Sequence, residues 1–519
     1  MRTFSPADLA SHNAEQNGYI VINGKVYDLT EFIDAHPGGK RILLPVLGKD
    51  ASEVFKLYHS VPTVLHKYRH LVIGVLEGHE LDSSEPDTTG DTFGNPVAFS
   101  EPGWYQGQHS PYYNESHRRF RVWIRALVEE HMTPFVHQWE LDGEVPLSLY
   151  RTFGKEGVLS CMVGCSPWPT WVPHAPPCGI KPEAWDAFHE LILGDEVARC
   201  GAVGAGAVLS LGPSIALPCI VNYGTQAQKD AIIAPVLRGE KTICLAITEP
   251  YAGSDVANIT TSATLSEDGS HFILSGEKKW ITNGVWADYF VVAARTGTAG
   301  MTGISLLLVE RGIKGLNTRP IKCQGNTGSG TAFVIFDKVK VPRENVIGKE
   351  NKGFIAIMKN FNHERFGIIV GAIRSARVCF EDAMAHAHRR KTFGKPLFEH
   401  GVIRNKLAHM ARQIEASQAW MEHLTYQTTK LEPEEAMLKL GGPIALLKAQ
   451  ATQTLEYCAR EASQILGGLS YTRGGVGERV ERIYRDVRGF AIPGGSEEIM
   501  LDLGIRQSVK VSQVMGAKL

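Results

Sequence analysis

Ile247-Thr248-Glu249-Pro250-Tyr251-Ala252-Gly253-Ser254-Asp255 stands where the hydrophobic pattern of the chain changes period. Upstream, over roughly 110–240, apolar residues recur at helical spacing. Downstream, to about 345, they come in short β-branched runs such as Tyr289–Ala294 and Thr331–Phe336. From about 350 the helical spacing returns, in long amphipathic stretches near 352–390, 398–430 and 442–465. The stretch is the seam of an α, β, α succession, with domains expected at 109–240, 241–347 and 348–519. Chemically, Gly253 and Ser254 offer backbone N–H groups and a hydroxyl to an anion such as a pyrophosphate. Taken alone, the stretch is also an ordinary turn.

Toward the N-terminus, residues 79–108 lose periodicity and collect Glu, Asp, Ser, Thr, Gly and Pro, the composition of a polar linker. Ahead of them a unit over 1–78 carries a strand-like run from Gly18 to Tyr27, with Asn23-Gly24 as a tight hairpin turn. A short helix is expected over Leu29–Asp34. Lys+Arg is 54 against Asp+Glu 55 in 519 residues, a net charge of −1, so no global basic field exists to hold nucleic acid or an anionic membrane. Nine cysteines without paired spacing point to a reducing compartment, and Cys161 with Cys165 reads as core packing rather than a zinc site. No run of about 18 uncharged apolar residues is read, so no spanning helix is expected. The ending Ala517-Lys518-Leu519 is similar to the Ser-Lys-Leu peroxisomal address, giving a peroxisomal or cytoplasmic expectation.

Within the first unit, His36-Pro37-Gly38-Gly39 is followed by a second histidine, His59. A six-coordinate haem iron needs a nitrogen ligand on each face, and neutral imidazole provides one. Leu43, Leu44, Val46, Leu47, Val54, Phe55 and Leu57 between them suit the walls around an apolar macrocycle. His66 and His70 are competitors for the second ligand and read as surface residues. With Val21–Thr30 and the ending Leu71–Leu76, the segment resembles cytochrome b5 over about 75 residues. The resemblance implies haem b, His36 and His59 as axial ligands, and one-electron transfer.

Five motifs stand in order: the stretch Ile247–Asp255; Gly276–Gly284, which contains Trp280 and Thr282; Arg390-Lys391-Thr392-Phe393-Gly394; Gln464-Ile465-Leu466-Gly467-Gly468; and Pro493–Met500, which contains Ser496 and Glu498. A tryptophan beside a hydroxyl suits an isoalloxazine, and a cationic, hydroxylic helix end suits phosphate. In order and spacing the five resemble the acyl-CoA dehydrogenases, from about 110 to 519. That resemblance implies a multidomain α+β protein: a small cytochrome b5-like haem domain, then an α-helical domain, a middle β-barrel and a C-terminal four-helix bundle. It implies FAD, with Thr248, Ser254, Trp280, Thr282, Ser496 and Glu498 among its contacts. It also implies that Arg390, Phe393, Gln464, Gly467 and Gly468 reach the FAD of a neighbouring subunit in a homodimer or homotetramer. Gly401 stands where relatives often carry Gln.

The family reaction removes an α-proton from a thioester while hydride leaves the β-carbon for flavin, with the thioester carbonyl held in an oxyanion-hole arrangement. Many members carry their glutamate base near the C-terminus, where this chain has Gly494. Glu364 offers a replacement: Ile357, Phe361, Glu364, Ile368 and Ala372 share one helical face, setting a carboxylate into an apolar stripe. Desolvation there favours a base, whereas an ion pair with Arg365 or Arg374 would make the residue structural. The long-chain and isovaleryl branches carry their base at this place, and they too lack Glu at the position of Gly494. Relatives acting on nitroalkanes use Asp instead, so Glu364 implies acyl-CoA and a 2-enoyl-CoA product. The electrons are expected to reach the fused haem or an external acceptor. The alternatives are an oxidase-like enzyme using O₂, and a haem electron carrier with a non-catalytic flavin module. Small residues over Gly201–Ala207 hint at space for an acyl chain.

Overall fold

The computed structural model describes residues 2–59, 61–79, 95–164 and 166–516, so Cys165 and the terminal Ala517-Lys518-Leu519 lie outside the described residues. The N-terminal unit is a six-stranded sheet ordered Arg2–Phe4, Val72–Leu76, Lys25–Asp28, Asn17–Ile22 and Asn13–Ala14, with Lys49–Asp50 paired to Asn17–Ile22. Asn23 and Gly24 take φ of 49° and 75°, the left-handed pair that a two-residue turn needs to match strand twist. Ile20, Ile22, Tyr27, Leu29, Ile33 and Leu47 form its core. The helix expected over Leu29–Asp34 is instead a run of turns. Phe32 and Ile33 both bond back to the Leu29 carbonyl, at 2.8 and 2.9 Å, and no helical ladder follows.

The stretch read as linker is packed at its far end: Ser100, Glu101 and Tyr105 are buried. Glu101 accepts from Arg125 at 2.7 Å and from Arg374 at 2.8 Å, which anchors the chain before the first long helix. Composition misleads here because the arginines that pair with this acid lie outside the stretch, Arg374 being 273 residues along the chain.

Helices Glu115–His131 and Ala187–Ala198 pack together as the heart of the helical domain. Phe120, Ile124 and Val128, four apart on one face, are fully buried, each contributing about 1.5–3 kcal/mol. A continuous helical segment, Val203–Tyr223, passes through a wide π turn at Gly212–Ala216. Its 21 residues are uncharged and, by length and composition, apolar enough to cross a membrane. The expectation that no such run exists is therefore corrected; 67% of its window is buried inside the protein, as in a core helix. Nor does Gly201–Ala207 make space throughout: a Cβ on Gly204 would lie 1.9 Å from the Thr327 carbonyl, so that glycine admits a neighbouring backbone.

The middle domain is an eight-stranded sheet. Its order is Leu316–Pro320, Ala332–Pro342, His271–Ile281, Ser262–Leu265, Tyr289–Arg295, Ile304–Glu310, Val346–Ile347, with Ile243–Ala246 beside Tyr289–Arg295. Phe272, Leu274, Phe290, Val292, Leu307 and Val334 fill its interior. The C-terminal bundle contains Gly353–Arg389, Gly401–Thr428, Pro433–Leu466, Glu478–Ala491 and Glu497–Val514. The long helix Gly353–Arg389 runs through two cores. Ile357 belongs to that of the helical domain and Ala372 to that of the bundle, with Phe361 packed on the first and Ile368 on the second. Glu364 sits where they meet. The N-terminal unit touches this body where His66 meets Phe135 edge-on at 4.6 Å and Arg389 donates to the Lys56 carbonyl at 3.5 Å.

Candidate active site

The loop Ile247–Asp255 leaves strand Ile243–Ala246 directly, and a buried ion pair holds it. Lys278 Nζ donates to Glu249 at 2.8 Å and to the Ile247 carbonyl at 2.8 Å. Glu249 also accepts the N–H groups of Thr260 and Thr261, at 2.7 and 2.9 Å. Desolvation would raise the Glu249 pKa, but Lys278 and these donors hold it at about 2, while burial pushes Lys278 down to about 8. Both residues lie inside the motifs, yet neither is marked by periodicity, and Lys278 stands between Glu277 and Lys279 with nothing in the sequence to single it out.

The Lys279 N–H donates to the Thr248 carbonyl at 2.9 Å, which sets Thr248 beside the end of strand His271–Ile281, where Trp280 lies. Trp280 has φ of 60° and is 48% exposed, so its indole is displayed on a strained backbone rather than buried. The hydroxyls of Thr248, Ser254 and Thr282 have no hydrogen-bond partner among the described residues. A half-exposed indole amid free hydroxyls fits an isoalloxazine with its polar rim. Ser496 precedes helix Glu497–Val514, and Glu498, exposed on its first turn, has its carboxyl lowered by the N-terminal backbone N–H and the Ser496 hydroxyl. Its neighbour Glu497 accepts from Thr452 at 2.8 Å.

Arg390, Phe393, Gln464, Gly467 and Gly468 are all exposed, Phe393 at 97%. No hydrogen bond, ion pair or ring contact joins them to Thr248, Ser254, Trp280 or Thr282 among the described residues. A Cβ added to Gly401, Gly467 or Gly468 would meet nothing within 4 Å.

Glu364 is partly buried at the seam of the two cores, and its carboxylate makes no hydrogen bond or ion pair among the described residues. The structural alternative is closed. Arg374 is held by Asp195 and Glu101, and Arg365 donates to the Gly494 carbonyl at 2.9 Å and to Asn362 at 3.3 Å. Desolvation raises the pKa of Glu364, against the opposing fields of Arg365, His363 and Lys448. The loop carrying Gly494 lies against it: a Cβ on Gly494 would sit 4.0 Å from Glu364 Oε1 and 2.8 Å from Ile368 Cδ1. Lys448 fixes that loop, donating to the Ala491 and Gly495 carbonyls at 2.7 and 2.8 Å. The two positions, far apart in sequence, address one point in space.

In the N-terminal unit the rings of His36 and His59 have centroids 6.0 Å apart and planes inclined at 66°. Two metal–nitrogen bonds of about 2 Å and the two half-rings fill that gap, so the pair fits opposite faces of a haem. His59 Nδ1 lies 3.1 Å from the Phe55 carbonyl, which fixes the ring by its far nitrogen and leaves Nε2 for iron. Burial lowers the pKa of both imidazoles and favours the neutral, ligating form. His66 packs on Phe135 and His70 is exposed, so neither competes.

One histidine cluster escaped the sequence reading. The ligand atoms of His117, Asp186 and His189 lie within 4.8 Å of one another. Nδ1 of His117 accepts the Asn114 N–H at 3.0 Å, and Nδ1 of His189 lies 3.2 Å from the Asp186 backbone nitrogen and 3.0 Å from its carboxylate, closing two helix caps. Nε2 of His117 therefore carries hydrogen, directed to Asp186 at 3.0 Å, while Nε2 of His189 lies 3.2 Å from the Ser116 hydroxyl. The cluster is a latch between two helix starts, those of Glu115–His131 and Ala187–Ala198.

Fold and site define a flavin-dependent dehydrogenase carrying a haem-binding unit. Family models match in the same order: cytochrome b5-like heme/steroid binding domain over 5–77, then the acyl-CoA dehydrogenase N-terminal domain over 114–240, middle domain over 244–339 and C-terminal domain over 351–509. The chain is 44% identical to acyl-CoA dehydrogenase AFT10-1 of Alternaria alternata, over 80% of this chain and 97% of that protein. It is 31% identical to the mitochondrial long-chain specific acyl-CoA dehydrogenase of Rattus norvegicus, over 77% of this chain and 88% of that one. The butyryl-CoA dehydrogenase structure from Megasphaera elsdenii superposes with a TM-score of 0.69 at 27% identity, covering 77% of this chain and all of that one. The chain belongs to the acyl-CoA dehydrogenase family, with a cytochrome b5-like domain at its N-terminus. It is an FAD-dependent oxidoreductase whose N-terminal domain binds haem.

Proposed function

We propose that the chain oxidises an acyl-CoA to its 2-enoyl thioester, with Glu364 as the base that takes the α-proton. The observation that carries this reading is the free Glu364 carboxylate, desolvated between two cores and abutting Gly494. FAD, when bound, supplies the two-electron acceptor for the β-carbon. Around it Thr248, Ser254 and Thr282 offer hydroxyls and Trp280 an apolar wall, while the Glu249–Lys278 pair keeps their loop in place. The long-chain enzyme of Rattus norvegicus supports a thioester of a fatty acid as the substrate class.

The haem held by His36 and His59 then provides a one-electron acceptor on the same chain. Support comes from the contact of His66 with Phe135 and from the anchoring of the connecting segment at Glu101, which keeps the haem unit at high effective concentration. The exposed Arg390, Phe393 and Gln464 favour a second copy of the chain as their partner, hence a homo-oligomer. The ending Ala517-Lys518-Leu519 supports peroxisomal import, which a reporter carrying this tail tests against one lacking it.

Anaerobic mixing with acyl-CoAs of graded chain length tests the whole reading. Flavin bleaching followed by the sharp bands of ferrous haem is expected. Bleaching with an unchanged haem spectrum would end the intramolecular route, and stoichiometric peroxide in air would establish the oxidase alternative.

A further inference from the structure

One residue before the base, the long helix carries an interaction that the proposed reaction does not use. The π turn Gly212–Ala216 widens the backbone and brings the Ser214 carbonyl within reach of the long helix. That helix takes the carbonyl up twice: Asn360 Nδ2 donates to it at 2.9 Å and His363 Nδ1 lies 3.2 Å away. The other ring nitrogen of His363, Nε2, lies 2.5 Å from Glu190 Oε1 on helix Ala187–Ala198. With a carbonyl on one ring nitrogen and a carboxylate on the other, the two contacts favour the imidazolium, in which both nitrogens donate. Gly164, with φ of 76°, leaves the ring its space; a Cβ there would lie 2.5 Å from His363 Nε2.

We propose that His363 and Glu190 form a positioning pair for Glu364, pinning the base-bearing turn to the π turn and fixing a positive charge one residue from the base. The inference rests on the reading of Glu364 as base. The charged and titratable groups facing Glu364 are His363 and Arg365 on its own helix, Lys448 on Pro433–Leu466 and Cys219 on Leu217–Tyr223. Arg365 is turned to the Gly494 carbonyl and Lys448 to those of Ala491 and Gly495, so both hold the loop as well as the field. His363 is held by a carboxylate: desolvation would lower its pKa, and Glu190 with the Ser214 carbonyl raises it. Its function is to offset part of the desolvation of Glu364, keeping the base ionised where substrate is bound.

The experiment compares pH profiles of kcat/KM for wild type, His363→Gln, Glu190→Gln and His363→Lys. Glutamine can still donate to Ser214 but carries no charge, so the acid limb should move up by about 1 pH unit with the plateau little changed. Glu190→Gln should move it the same way, and His363→Lys should return it toward wild type. A second readout avoids turnover. The pH dependence of the absorbance change on binding a 3-thia acyl-CoA, which can lose its α-proton but not its β-hydrogen, should shift in parallel. A lower Tm and a uniformly lower rate with an unmoved limb would make the pair merely structural and overturn the proposal. Failure of the base reading itself is distinct: Glu364→Gln would then retain the wild-type acid limb and rate.

Discussion

Gly494→Ala probes the point where the loop of Pro493–Ser496 meets the base. Gly494 has φ of 68°, a left-handed conformation that costs an L-residue about 1–2 kcal/mol. The new Cβ would also lie 2.8 Å from Ile368 Cδ1, in a seam closed by Arg365 and Lys448, and such overpacking costs about 1–3 kcal/mol. The combined destabilisation is about 2–5 kcal/mol. Gly179→Ala supplies the control. Gly179 has φ of 64° and nothing within 4 Å of a Cβ, so it isolates the backbone part. Denaturant unfolding of the FAD-loaded protein should place Gly494→Ala at least 1 kcal/mol below Gly179→Ala, by the same overpacking estimate of about 1–3 kcal/mol. Flavin reduction should survive, because the Cβ stays 4.0 Å from Glu364 Oε1, an ordinary contact. Equal stability of the two variants would refute the packing of Gly494 on Ile368 and Glu364.

Glu101→Gln leaves Arg121, Arg125 and Arg374 facing only Glu196 and Asp195; unbalancing a buried ionic cluster in this way should cost about 3–5 kcal/mol. Limited proteolysis should then cut near 95–108, and a resistant variant would contradict the anchoring. His59→Ala should abolish the low-spin haem spectrum while leaving the flavin spectrum intact; retained six-coordinate haem would reassign the ligand. The His117–Asp186–His189 latch gives a pH dependence. Desolvation lowers the His189 pKa, and bonds from both histidines hold Asp186 below the usual carboxylate range despite its burial. As pH falls through about 6.5, the unfolded chain takes up a proton that folded His189 resists, so the latch loses stability toward acid. The Tm difference between wild type and His189→Gln should therefore narrow from pH 7.5 to pH 5.5, at roughly the unfolded titration of histidine. A constant difference would deny the latch.

What the sequence made legible is local or periodic. The Asn23-Gly24 turn, the long helices and the shared face of Ile357, Glu364 and Ala372 each follow from spacing alone, whereas the expected haem and flavin residues rest on resemblance. What stayed hidden depends on partners brought together only by the fold. Glu101 and Arg374 stand 273 residues apart, so the acid read as linker composition. Glu249 and Lys278 were quoted for their motifs and not for the ion pair that shapes the loop. Val203–Tyr223 escaped notice as an apolar helix because Gly, Ser and Pro dilute its pattern, although no charge interrupts it. The convergence of Gly494 on Glu364 is of the same kind: a register of two helices in space, invisible in either stretch by itself.

The central claim is that Glu364 takes the α-proton. Stopped-flow reduction of the FAD by a saturating acyl-CoA, compared between wild type and Glu364→Gln, tests it directly. Removal of a general base should slow bleaching by about 10²–10⁴-fold while substrate still binds. Bleaching at the wild-type rate in the variant would contradict the account.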